Sequence, residues 1–83
     1  MKYRFTMPTQ AQCDALCIKR EGLYGRTQMW LLGAATALSW VTKINLMLSF
    51  PGNSFIMETS SEIVVDGITE RLESYGFIRE EMK

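Results

Sequence analysis

Four carboxylates, Glu62, Asp66, Glu70 and Glu73, recur every three or four residues, the interval that stacks side chains on one side of a helix. Two carboxylates roughly 5 to 10 Å apart are the working parts of glycosidic hydrolysis, one as acid and the other as nucleophile or base. That chemistry needs a facing wall and enough burial to raise one pKa, and a single exposed helical side supplies neither. The same row suits a different task, offering negative charge to a basic surface on another protein. A merely solvated helix face would give the same spacing. Glu80 and Glu81 follow a few residues on and extend the acidic run.

A second group, Lys19, Arg20, Arg26, Thr27 and Gln28, has the residue types that hold phosphates and reach base edges. Lys2 and Arg4 alternate with Tyr3 and Phe5. On a strand these two pairs face opposite ways, so stacking on bases and contact with phosphates could not share a surface, and core aromatics beside a solvated basic side are expected instead. Cys13 and Cys17 lie four apart, where a helix is predicted. Closing a disulfide there would distort the helix, so two reduced thiols and a cytoplasmic setting are expected. A metal half-site completed in a dimer is the alternative use of the pair, without any imidazole to help it.

The 83 residues contain no histidine, which removes Ser-His-Asp and Cys-His catalysis and Cys2His2 zinc binding within one chain. No GxGxxG, GxxxxGK[ST] or DxDxDG stretch is present to cradle phosphate or calcium. A non-enzymatic protein with no cofactor and no metal is the expectation. Nine cations balance nine anions, so no whole-molecule field draws the chain to nucleic acid or anionic lipid. The balance is uneven along the chain: residues 1–43 carry six cations against Asp14 and Glu21, and residues 44–83 carry three against seven carboxylates.

The elements that must position these groups follow from periodicity. Lys2–Met7 alternates as a half-buried strand, and Pro8 stops it. Thr9-Gln10-Ala11-Gln12 has the form of a capping box and predicts a helix from Gln10 to Arg20, closed by a turn over Glu21–Gly25. Thr27 is expected to cap a second helix reaching Trp40, apolar almost all round and therefore central to the fold. Strict alternation from Lys43 to Phe50 predicts a strand, Pro51-Gly52 a type II turn, and Ser54–Glu58 the returning strand of a hairpin. Thr59-Ser60-Ser61-Glu62 reads as a second capping box opening a helix to Tyr75, with Gly76 at its left-handed end and Phe77 and Ile78 folded back on the last turn.

The expected architecture is a single α+β domain over residues 1–83, order β-α-α-β-β-α, with a three-stranded antiparallel sheet packed by helices. Without its last helix this order resembles that of the later elements of a winged-helix DNA-binding domain. Leu72-Glu73-Ser74-Tyr75-Gly76-Phe77-Ile78 is similar to the end of a winged-helix recognition helix. In that reading the chain is a DNA-binding regulator and contacts DNA through Lys19, Arg20, Arg26, Thr27 and Gln28.

Two further features bear on partners. Met1–Phe5 has charge but no apolar stretch behind it, so no signal peptide is expected. Met29–Phe50 carries only Lys43, yet its uncharged apolar block is thirteen residues against the roughly 20 a span needs, so a buried helix is preferred to a membrane-associated one. Trp30 and Trp40 bracket that block and leave more apolar area than so small a domain easily hides, which suggests a homodimer through them. The leading expectation is an inhibitor or adaptor of the kind phages and mobile elements encode. It would occupy a basic or nucleic-acid-binding surface of a larger host or defence protein through Glu62, Asp66, Glu70, Glu73, Glu80 and Glu81.

Overall fold

A computed structural model describes residues 1–41 and 46–82 of the chain. β1 (Lys2–Thr6) follows the alternation, with Phe5 fully buried and Lys2 exposed. Thr9 then caps α1 (Gln10–Ala15): the Gln12 amide donates to Thr9 Oγ1 at 3.2 Å, and the Thr9 amide donates to Gln12 Oε1 at 2.9 Å. The helix stops five residues short of the expected Arg20. Cys17 adopts φ 56°, its amide donates to the Asp14 carbonyl at 3.2 Å, and the Ile18 amide donates to the Cys13 carbonyl at 2.9 Å. This is a Schellman closure with cysteine where glycine is usual, so nothing in the residue types marks it. Cys13 and Cys17 are both free thiols, the first buried and the second exposed.

Gly22, at φ 75°, turns the chain directly into α2 (Leu23–Val41), so Gly25 lies in the first helical turn and Thr27 in the interior. Thr27 therefore does not cap: it is 1% exposed, and its hydroxyl donates to the Leu23 carbonyl at 2.7 Å. Nor is α2 central. Among its described side chains only Leu23, Thr27 and Leu31 are buried, one narrow stripe along the helix, while Met29 is 76% and Leu32 47% exposed. Its uniform apolarity comes largely from Gly33, Ala34, Ala35 and Ala37, which have little surface to bury.

β2 (Leu46–Ser49) and β3 (Ser54–Thr59) form the expected hairpin, with Leu46 opposite Thr59 and Ser49 opposite Ile56. Gly52 supplies the φ of 64° that the third turn position requires. Lys43 to Asn45, where the strand was expected to begin, lie outside the described residues. α3 (Glu62–Ser74) is capped by Ser61, whose Oγ accepts from the Val64 amide at 3.4 Å. Thr59 instead ends β3, buried, and its hydroxyl accepts from the Ser61 amide at 3.2 Å.

At its other end α3 closes at Gly76 as expected, with Phe77 buried, but Ile78 does not fold back on the last turn: it is 53% exposed. Gly76 takes φ 88°, its amide donates to the Glu73 carbonyl, and the Phe77 amide donates to the Leu72 carbonyl, each at 3.0 Å. The chain then enters a strand that the periodicity does not suggest, β4 (Ile78–Glu81), all four residues of which are exposed. The antiparallel sheet thus has four strands rather than three, in the order β2-β3-β1-β4. β1 lies between β3 and β4, so α3 crosses over β1, and α1 with α2 crosses over β3. This is the β-α-β-β-α-β split arrangement, with two helices in the first crossover. It departs from a winged-helix order: Ile78 leads into the same sheet and not into a wing.

The core is Phe5, Phe55 and Met57 from the sheet, Val64, Val65, Ile68 and Leu72 from α3, Leu23 and Leu31 from α2, with Cys13 and Phe77. Phe55 joins three rings: Tyr24 stacked at 4.5 Å, Phe77 at 5.3 Å and Phe50 edge-on at 5.7 Å. The Tyr24 hydroxyl donates to the Ser54 carbonyl at 2.9 Å, and burial pushes its phenol pKa above the ordinary value. Pairing places Tyr3, Phe5, Phe55, Met57, Leu46 and Leu48 on the side that receives α2 and α3. The other side carries Lys2, Arg4, Thr6, Met47, Ser49, Ser54, Ile56, Glu58, Ile78 and Glu80. Six of these ten, Lys2, Met47, Ser49, Glu58, Ile78 and Glu80, are exposed.

Candidate functional site

α3 is built as two sides. Ser61 fixes its start and the Gly76 closure its end, and at 100° per residue Val64, Val65, Ile68, Thr69 and Leu72 turn to the sheet and are buried. Glu62, Asp66, Glu70 and Glu73 fall together on the exposed side, a row about 16 Å long at 1.5 Å per residue. Among the described residues no ion pair or hydrogen bond occupies their carboxylates.

The two arginines nearest the row are turned to other work. The Arg71 guanidinium lies 5.3 Å from the centre of the Trp30 ring, and its Nη1 donates to Tyr75 Oη at 3.4 Å. Arg79 lies 4.9 Å from the Tyr3 ring and donates to Thr69 Oγ1 at 3.4 Å. Both cations are held against aromatic faces and make no ion pair with the row, although Arg79 lines one depression with Glu62 and Asp66 and Arg71 lines another with Glu70.

Glu80 and Glu81 do not both extend this row. β4 alternates, so Glu80 stands opposite Arg4 on the open side of the sheet, and Glu81 stands opposite Tyr3 on the helix side. The structure thus brings together Glu62, Asp66, Glu70 and Glu73 and separates Glu80 from them.

Two residues that the sequence reading passes over complete the surface. Ile63, 85% exposed, projects beside Glu70 on the helical projection, and Gly67 lies one turn further on. A Cβ on Gly67 would meet no heavy atom within 4 Å, so no internal packing asks for glycine there. Both were legible: a β-branched apolar residue inside the polar sector, and a mid-helix glycine that costs about 0.5–1 kcal/mol relative to alanine.

The basic group is occupied differently. Arg20 Nε donates to the Pro8 carbonyl at 3.1 Å, while Arg26 donates to the Glu21 and Lys19 carbonyls, each at 3.0 Å. These guanidinium groups tie down the connection between α1 and α2. Thr27 is buried with its hydroxyl engaged in the helix, Gln28 is half-buried, and Lys19 is exposed. On the open side of the sheet Lys2 and Arg4 stand directly opposite Glu58 and Glu80 respectively, so that surface is neutral in sum, and its aromatics face the other way.

Trp30 is half-buried beneath Arg71 and faces α3, not the free side of α2; the Trp40 side chain lies outside the described residues. Among the described residues no group of three Cys, Asp or Glu side chains is arranged to hold a metal ion. No helix among them is long and apolar enough to cross a membrane. The fold and this surface define a small α+β domain with a split four-stranded sheet and one helix side of carboxylates that make no ion pair among the described residues. Compared with protein-family models, with curated proteins and with solved structures, the chain matches none.

Proposed function

We infer that this chain is a small non-enzymatic protein-binding module, an inhibitor or adaptor, and that its binding surface is the outer side of α3. One observation carries the reading: free carboxylates at Glu62, Asp66, Glu70 and Glu73 share a helix side with a nearly fully exposed isoleucine and an unpacked glycine. Such a combination suits docking on a basic surface of a larger protein. The carboxylates steer the encounter and set the register, Ile63 enters an apolar depression, and Gly67 lets the partner backbone approach closely. A target that itself binds nucleic acid offers the complementary charge, and the row then competes with phosphates.

The test is capture of partners from lysate by the tagged full chain, with nuclease present and with identification by mass spectrometry, beside an Asp66→Lys/Glu70→Lys variant. The expected result is one stoichiometric protein that survives nuclease and is lost with the variant. Recovery of that protein in equal yield by the variant would remove the α3 row from the account. Recovery only of nucleic acid and its nuclease-sensitive companions would favour the DNA-binding reading.

A further inference from the structure

β2 and β4 are the two edges of the sheet, and they differ in a way that bears on self-association. An edge strand turns the N–H and C=O groups of alternate residues outward, a template for a further strand unless charge or shape prevents pairing. β4 reads Ile-Arg-Glu-Glu, three charges in four residues. β2 reads Leu-Met-Leu-Ser and has none; its Met47 is 61% exposed. Among the described residues no backbone hydrogen bond outside the β2–β3 ladder reaches Leu46–Ser49.

We propose that the free edge of β2 pairs antiparallel with β2 of a second copy of this chain, joining two four-stranded sheets into one of eight strands about a two-fold axis. This goes beyond the α3 reading and involves none of its residues. Directly opposed residues of antiparallel strands project to the same side of a sheet, so a two-fold must set one residue against its own copy.

Centred on Arg79, Glu80 or Glu81, β4 would oppose a charge to itself, which is destabilising. Centred on Leu48, β2 sets Leu48 against Leu48, Leu46 against Phe50 and Met47 against Ser49. Leu46, Leu48 and Phe50 are half-buried at the rim of the helix-covered side, so both copies would complete an apolar seam there. Met47 and Ser49 lie on the open side, and no like charges are brought opposite one another. A slip by one residue would set the covered side of one copy against the open side of the other, so the register can shift only in steps of two.

The experiment is light scattering on the full chain over a concentration series from micromolar to millimolar. The expected mass rises to twice the 9.5 kDa of one chain. Met47→Lys/Ser49→Lys and Met47→Glu/Ser49→Glu should each remain at the single-chain mass, and their equimolar mixture should recover the doubled mass, since opposite charges then face across the seam. A wild-type mass that never rises overturns the proposal. So does a lysine variant that still doubles, which would move the contact to another surface such as the exposed Met29 and Leu32 of α2. Amide exchange of the wild type, dilute against concentrated, gives an independent readout if a variant fails to fold. Slowed exchange over Leu46–Ser49 is expected, and unchanged exchange there contradicts the proposal.

Discussion

The inner and outer sides of α3 are made from the same thirteen residues and answer to different constraints. The inner side, Val64, Val65, Ile68 and Leu72, is held by Phe5, Phe55 and Met57 beneath it, and every change of volume there is felt by the core. The outer side, Glu62, Ile63, Asp66, Gly67, Glu70 and Glu73, touches little of its own molecule. Residues that the fold does not need can be given to a partner, and on this chain they also include choices that cost stability. The comparison separates two measurable quantities: unfolding free energy should follow the inner side, and partner binding the outer.

The largest effect is expected at Leu72, which is fully buried. Leu72→Ala should lower stability by about 2–5 kcal/mol in denaturant unfolding, from lost burial and a residual cavity. Gly76→Ala comes next, at about 2 kcal/mol or more: the residue has φ 88°, and a Cβ would meet Leu16 Cδ1 at 3.0 Å and Pro8 Cβ at 3.2 Å. Gly67→Ala should act in the opposite direction, raising stability by about 0.5–1 kcal/mol because a helix-interior glycine in open space is replaced. The same variant should weaken capture of the partner, and unchanged capture would show that close backbone approach is not used.

Cys17→Gly sharpens the comparison from outside α3. It gives the α1 closure the residue that the α3 closure already has, and a gain of about 0.5–1 kcal/mol is expected by thermal or denaturant unfolding. The smallest effect on stability belongs to Asp66→Lys/Glu70→Lys. It should stay within about 0.5 kcal/mol of the wild type while abolishing capture, the reverse of Leu72→Ala judged at equal folded concentration. A large loss of stability in this variant would mean that the row is structural and would erase the distinction.

How far the sequence foretells this arrangement depends on whether the local signal and the tertiary contact agree. β1, the β2–β3 hairpin and α3 are legible because alternation, turn chemistry and 100° spacing each coincide with the buried face. β4 is not, because its four residues show no apolar alternation; pairing with the exposed edge of β1 recruits it. The early end of α1 is invisible because cysteine has no preference for the left-handed conformation it adopts at Cys17. The start of α2 is misplaced because Gly22 and Gly25 look alike in sequence, yet only Gly22 has positive φ. Within the candidate surface, helical periodicity finds the four carboxylates, whereas Glu80 and Glu81 are assigned to the same row only while β4 is unseen. Ile63 and Gly67 become informative once the buried side is fixed, since exposure is what makes an isoleucine or a mid-helix glycine unusual.

The most direct test of the central claim is an amide-exchange footprint of the full chain, free and bound to its captured partner. The account predicts that the added protection falls on α3, over Glu62 to Glu73, with the open side of the sheet unchanged. Protection confined to α2 or to the open side of the sheet, with α3 exchanging as it does in the free chain, would contradict it.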